Sequence, residues 1–500
     1  MKILVYNWVQ FDDSKNRGGG VSVYLSSLLK SMLSAGHELV FLSSGCHYGL
    51  LRRKPYLQET SNALEHLGLK SYQIINSPVK GPSGDSFYAI KESLDNPDFE
   101  DFLIDIINMF GPLDQIHFHG IEGLSTGIFE RFNTPVSPHI VVWFHNYHWV
   151  CRQIELLFGN KSRCDDYQRG ASCISCPTTH RDMYSKMTVQ RMVDVVDKLQ
   201  TRFPIFGAQL DTLVRKAFVL GRTTFSAVRG ESKRAAEIEQ QGLEEQDLVQ
   251  RQLAIKAERQ YFEDWRLQNI DSIETNIDQC ITVSHIAKRT LMEMGVTNSS
   301  FEVVPIGMDV FNPSFSELGL DKAKSIDGLL NVAYLGYPTV SKGFDLFCDT
   351  LALYGDDLAS SISVKIVSKL TKDQIEIMAG KLHKYKVERL NGYVRNEMSK
   401  AVEDVDIAII PSVWNETFNQ VAYELIMLGV PVIVSDSAGI SSYLPKMFVF
   451  ESGNSESLRG IIQSILSDPE KLQKYWLSNF DLISFEAHYE HLDSVLFTAQ

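Results

Sequence analysis

The chain opens on KILVYNW (2–8), a mostly apolar run of strand length. A run of this kind reads as a strand buried on both faces, as in a parallel sheet covered by helices. A loop follows that ends at Gly18-Gly19-Gly20, after which Tyr24, Leu25, Leu28, Leu29, Met32 and Leu33 fall on one helical stripe. Gly36 stops that helix, and ELVFLSS (38–44) reads as the second strand. The β-α-β order predicts a parallel sheet. Further strands are expected at DQIHFHG (114–120) and PHIVVWFH (138–145).

The pattern changes between Cys151 and about Gln268. A cysteine-rich stretch gives way to charged, helix-favouring sequence such as ESKRAAEIEQQGLEEQDLVQRQLAIKAERQ (231–260), which reads as solvated helix surface. This part, about 151–270, is expected to be a helical insertion in a first domain spanning 1–308. The α/β pattern resumes at QCITVSH (279–285) and FEVVPIG (301–307), and the polar stretch 309–329 reads as an interdomain connection. A second series follows at LNVAYLG (330–336), SVKIVS (363–368), VDIAIIPS (405–412) and VPVIVSD (430–436), giving a second domain over 309–475. Residues 476–500 are expected to form a helix that returns to the first domain. Two open parallel sheets in tandem place a crevice between the carboxyl ends of their strands, where such folds bind ligands.

Composition narrows the function. Five hundred residues exceed one hydrophobic core, which agrees with two domains. A net charge of −14 argues against nucleic acid as a partner. The first residues lack the long apolar core and cleavage site of a signal peptide, and no apolar run reaches the ~20 residues of a membrane span. Seven cysteines, an odd number in a long chain, suit a reducing compartment. The expectation is a cytoplasmic protein.

Candidate chemistry concentrates in the second series. Glu416-Thr417-Phe418-Asn419 through Glu424 spaces two glutamates eight apart between an apolar strand and GVPVIVSDSAG (429–439). Upstream stand Gly336 and Ser341-Lys342-Gly343. The first series supplies the Gly18–Gly20 loop, Gly36-His37-Glu38, the His117-x-His119 strand end, His145, VSHIAKRTL (283–291) and PIGMDVF (305–311). In this order the set resembles the family 4 glycosyltransferases, a retaining group with the GT-B fold. The resemblance covers both domains and omits mainly the insertion.

It implies two Rossmann-like domains facing a central crevice, and transfer of a sugar from a nucleotide-sugar donor to a saccharide or lipid-linked acceptor. Family members often build surface polysaccharides, which makes contact with the inner membrane face an expectation; residues 181–228 mix basic and apolar side chains that suit lipid or a packed helix pair equally. Glu416, His145 and Lys342 are the catalytic candidates. Gly19, Gly20, Lys342, Thr417, Phe418, Asn419 and Glu424 are the donor-binding ones. Glu416 is implied to bind donor-sugar hydroxyls and Glu424 the ribose. Lys342 and the helix N-terminus near Phe418 and Asn419 would face the departing diphosphate, so no cofactor or catalytic metal is expected. Two departures stand out: Tyr337 replaces an arginine usual in the family, and serine near Ser442 replaces a later acidic residue. His117 and His119 are expected on opposite faces of their strand, with at most one reaching the site.

Three rivals remain. A dinucleotide oxidoreductase would show G-x-G-x-x-G and an acidic end to the second strand, but the glycines are consecutive and that strand ends in Ser43-Ser44. A sugar-nucleotide epimerase of the same fold and a silent nucleotide-sugar-binding subunit are separable by acceptor-dependent turnover. Cys151, Cys164, Cys173 and Cys176 form C-x12-C-x8-C-x2-C, with His148 and His180 nearby; the readings are a structural zinc site or buried, unpaired thiols.

Overall fold

The computed structural model describes residues 1–49, 52–82, 87, 90–132, 137–176, 183–202, 244–324, 328–393 and 395–497. Ten strands belong to the first half: β1 (Lys2–Tyr6), β2 (Glu38–His47), β3 (Tyr56–Thr60), β4 (Lys70–Ile75), β5 (Gln115–Phe118), β6 (His139–Phe144), the two-residue hairpin strands β7 (Leu157–Phe158) and β8 (Ser162–Arg163), β9 (Gln279–Thr282) and β10 (Phe301–Val303). All but the hairpin form one sheet in the order β10-β9-β6-β5-β1-β2-β4-β3. It is parallel except for the antiparallel edge pair β3–β4. The second sheet, parallel throughout, holds β11 (Leu330–Leu335), β12 (Ile362–Val367), β13 (Lys386–Leu390), β14 (Ile407–Ile410), β15 (Val432–Ser435) and β16 (Val449–Phe450) in the order β13-β12-β11-β14-β15-β16. These are the two Rossmann-like halves of the GT-B fold.

The apolar runs read from the sequence are the central strands. Ile3, Val5, Val141, Val142, Val332 and Ile407 are fully buried, because helices cover both faces of each sheet. Strands β3 and β13 carry no such run. Their polar sequences, YLQET and KVERL, reflect edge positions with one face in water. The connection 309–329 is not plain loop: Phe315–Lys324 is a helix packed against the helix Glu470–Trp476.

Within 151–270 the described part contains the helices Met183–Arg202 and Glu244–Thr275. Residues 177–182 and 203–243, with His180 and much of both helical readings, lie outside the described residues. Among the described residues no helix is long and apolar enough to cross a membrane.

The chain crosses between the halves twice, and the crossings touch. Met308 pairs with Ser484 in an isolated parallel bridge, and a Cβ on Gly307 would lie 2.1 Å from the Ser484 carbonyl oxygen. The helix Phe485–Leu496 then packs back on the first sheet, where Gln115 donates to the Leu496 carbonyl at 2.8 Å.

Candidate active site

In each sheet the strand order reverses direction around the first strand of the series, so the carboxyl ends of β1–β5 and β11–β14 are the natural ligand positions. They face each other across a crevice of about 600 Å³. Its walls include Gly19, Gly20 and His145 from the first half, with Lys342 and 416–421 from the second.

β11 ends at Leu335, and the turn that follows, opening on Gly336, carries Lys342 before Gly343 starts the helix Phe344–Ala352. Gly343 has φ 69°, and a Cβ there would overlap the Pro411 carbonyl oxygen at 1.7 Å. Only glycine lets this turn press against the end of β14. That contact brings Lys342 to Glu416: the ammonium donates to Glu416 Oε1. Ser412 Oγ donates to Glu416 Oε2 at 2.6 Å, and Asn419 Nδ2 to the same oxygen at 2.8 Å. Glu416 is only 6% exposed, and these donors offset the cost of burying its charge. Asn419, held at φ 137°, also caps the helix Gln420–Met427 by accepting from Ala422 N–H at 2.8 Å. One side chain therefore aims the carboxylate and starts the helix.

Glu424 lies one turn into this helix, which begins at Gln420. Its carboxylate accepts from Arg395 Nε at 2.6 Å. Burial raises its pKa, and Arg395 opposes that rise. Arg395 and Lys369 both line the crevice, where the sequence reading had assigned Lys342 as the only cation. Both follow strands: Lys369 comes just after β12, and Arg395 comes in the turn after β13. The basic residue after β13 is the signal that could have found Arg395. Tyr337, in the position expected to lack a cation, is 70% exposed.

His145 follows the buried end of β6, and Thr417 Oγ1 donates to its carbonyl at 2.9 Å, joining the two halves. Gln420 donates to the Gly20 carbonyl at 3.1 Å, and Asn415 to Thr290 at 3.0 Å. Burial depresses the His145 pKa to about 3 and holds His119 well below its usual range, so both rings are neutral. His119 Nδ1 lies 2.9 Å from His145 Nε2, and His119 Nε2 is buried without a partner. A bare acceptor there costs less than an orphaned N–H, which assigns the proton to His119 Nδ1 and leaves His145 with Nδ1–H. Behind them Tyr24 O–H reaches His488 Nε2 at 2.9 Å, while His488 Nδ1 donates to the Pro305 carbonyl at 2.7 Å.

The expectation that His117 and His119 face opposite sides fails. Residues two apart share a face: His119 stacks on Trp143 and His117 on Phe497, the same side of the sheet. Neither lines the crevice.

The four cysteines of the insertion line one small cavity beside Arg266 and Trp265. All are free thiols, and among the described residues no three His, Cys, Asp or Glu side chains are placed to hold a metal ion. As arranged, the set does not fit a zinc site. A larger cleft, about 730 Å³, opens beyond the crevice. Val413 and Asn415 face it while Ser412, Trp414 and Glu416 face the crevice, so it holds neither glutamate of the pair.

Residues 328–468 match the family described as glycosyl transferases group 1. This half of the crevice is a group 1 glycosyltransferase domain. With it, the chain is a glycosyltransferase, an enzyme of sugar transfer. No curated protein sequence matches it significantly. The whole fold of the glycosyltransferase is similar to several solved structures. Sucrose-phosphate synthase from Thermosynechococcus elongatus superposes with TM-score 0.54 at 14% identity, all of both chains covered. Anabaena HepE, solved in complex with UDP, gives 0.55 at 12%, again over all of both chains. A UDP-forming α,α-trehalose-phosphate synthase from Burkholderia xenovorans, solved with glucose-6-phosphate, gives 0.55 at 10% over 99% of each. At these identities the likeness is one of fold.

Proposed function

We propose that this glycosyltransferase is a retaining, family 4 enzyme that passes a sugar from a nucleotide-sugar donor in the crevice to a saccharide or lipid-linked acceptor. Synthesis of surface polysaccharide or a glycoconjugate, in the cytoplasm and against the inner membrane face, is the setting this implies. The observation that carries the reading is buried Glu416, aimed by Ser412 and Asn419 and paired with Lys342 where β11 and β14 end. As the bond from the anomeric carbon to the β-phosphate oxygen breaks, negative charge gathers on the diphosphate and positive charge on the sugar ring. Lys342 and the amides at the start of the helix Gln420–Met427 meet the first charge. Glu416 meets the second and holds sugar hydroxyls, and His145 Nδ1–H donates to the sugar from the opposite wall. Glu424 and Arg395 take the ribose end. In this reading the roles fall to the protein's own side chains and helix-terminal amides, and no catalytic metal is called for.

The test is binding and acceptor-dependent turnover with a panel of UDP-, GDP- and ADP-sugars, UDP first because one of the similar structures is a complex with UDP and another is a UDP-forming enzyme. One donor should support turnover that survives chelation, and Lys342→Ala should lower that turnover by about 100- to 1000-fold. Binding of every donor lost, or turnover that Lys342→Ala leaves intact, would overturn the proposal.

A further inference from the structure

His119 stands just past β5, its backbone N–H donating at 2.9 Å to the Tyr6 carbonyl at the end of β1. It is 2% exposed and takes no part in the wall of the crevice, whereas His145, just past the neighbouring β6, does. The two rings meet through one bond, between His119 Nδ1 and His145 Nε2 at 2.9 Å. Their centroids are 5.2 Å apart and their planes within 14° of parallel. This is the arrangement of two rings set edge to edge along the bond, so its proton points at the in-plane lone pair of the acceptor. Trp143 lies nearly parallel to both rings, and Tyr24 packs on both at a tilt. Packing of this kind leaves neither ring free to turn over.

We propose that His119 is a positioning residue for sugar transfer, holding His145 in the one tautomer, Nδ1–H, that donates to the sugar. The inference rests on the role proposed above for His145. Two proton placements satisfy the bond between the rings. If His145 Nε2 carried the proton, His119 would keep its own on Nε2, which is buried without a partner. An orphaned N–H there costs more than a bare lone pair. His119 Nδ1 is therefore the donor, and its proton occupies the Nε2 lone pair of His145.

The bond made by one ring nitrogen decides the state of the other. A neutral imidazole has a single N–H and a single lone pair. With the lone pair of His145 taken by His119, the N–H falls on Nδ1, the nitrogen left to the crevice. The same arrangement leaves His145 no lone pair for a proton from the acceptor hydroxyl. It serves as a donor to a substrate oxygen and not as a base. A hydrocarbon side chain at position 119 would release the Nε2 lone pair, and the proton would be free to move there. The contact offered to the sugar would then reverse its polarity, from N–H to lone pair.

Nitrogen-15 NMR of protein labelled in its histidine rings reads the tautomer directly, with His145→Ala to assign the signals. At neutral pH, His145 of the wild type should show a protonated Nδ1 and an unprotonated Nε2. His119→Leu should shift the proton toward Nε2. Its acceptor-dependent turnover should fall about tenfold, the contribution of one hydrogen bond to the sugar. Binding of UDP by calorimetry, or of GDP or ADP if those bind instead, should stay as in wild type, since the diphosphate alone does not engage His145. His119→Asn sets an amide N–H where Nδ1 stood, and should restore the tautomer and most of the turnover; thermal melting checks that each variant folds. Wild-type His145 protonated on Nε2 would overturn the inference without recourse to any variant. Full turnover by His119→Leu, or a folded His119→Asn no better than His119→Leu, would overturn it as well and leave the donor site standing. The donor-site reading fails on a different result, a wild type that turns over no nucleotide sugar, and this inference would fall with it.

Discussion

Replacing Glu416 by glutamine separates two roles that one carboxylate holds in the structure. The side chain is 8% exposed and its Lys342 partner 28%, so the pair is largely screened from water. Two unit charges about 4 Å apart attract by about 4 kcal/mol at an effective dielectric constant near 20. Hydration regained by the freed groups cancels much of this, leaving a net of about 1–2 kcal/mol. In the unliganded enzyme that energy opposes transfer of Lys342 from Glu416 to a diphosphate. Glu416→Gln keeps the shape and still accepts from Ser412, so UDP should bind about tenfold more tightly. Turnover should move the other way, falling by about 100-fold, because the charge that meets the developing positive sugar ring is lost. Calorimetry with UDP and steady-state kinetics on one preparation read both effects, with thermal melting to confirm an intact fold. Weaker UDP binding would mean that Glu416 helps to hold the diphosphate rather than contest it. Unchanged turnover would remove Glu416 from the reaction.

Glu424→Gln should raise the donor Michaelis constant more than it lowers turnover, since a ribose contact is similar in ground and transition states; a pure loss of turnover would place Glu424 at the sugar instead. Acid should unfold the protein through its buried imidazoles. Burial lowers His117 and His145 to about 3 and His488 to about 4, below the unfolded value near 6.5, so stability is full above that value and falls as pH drops through it. Each should cost about 2 kcal/mol at about pH 5, and urea denaturation showing equal stability at about pH 5 and pH 7 would contradict their neutral burial. Burial pushes Cys151 and Cys164 up to about 11 and Cys173 to about 12, so native protein should alkylate slowly at neutral pH and take seven labels once denatured without reductant. Bound zinc in metal analysis would mean that these thiols rearrange around an ion.

The central strands were legible because burial on both faces writes itself as unbroken apolar sequence, as in IVVWF and DIAII. The edges were not, because KVERL is charged where it meets water and reads as surface. The order of motifs around Lys342 and 416–424 pointed to the crevice, while the partners that tune it did not show. Arg395 reaches Glu424 from beyond an unread edge strand, and Ser412 reaches Glu416 from just past the central strand β14, whose apolar run gives no sign of what the serine after it meets. The shared face of His117 and His119 needed only the period-two rule applied correctly.

The contact between Met308 and Ser484 gives the two crossings a common pivot. Two chain segments held side by side at one point resist sliding past each other, which favours a swing, as of a book about its spine. Points near the spine travel least. His488, bonded to the Pro305 carbonyl beside it and to Tyr24, belongs to that quiet edge. The bond from Gln420 to Gly20 spans the two covers directly and must break for the book to open. Substrate would then enter between the covers while the histidine wall near the spine keeps its alignment, ready to be met again each time the halves swing shut.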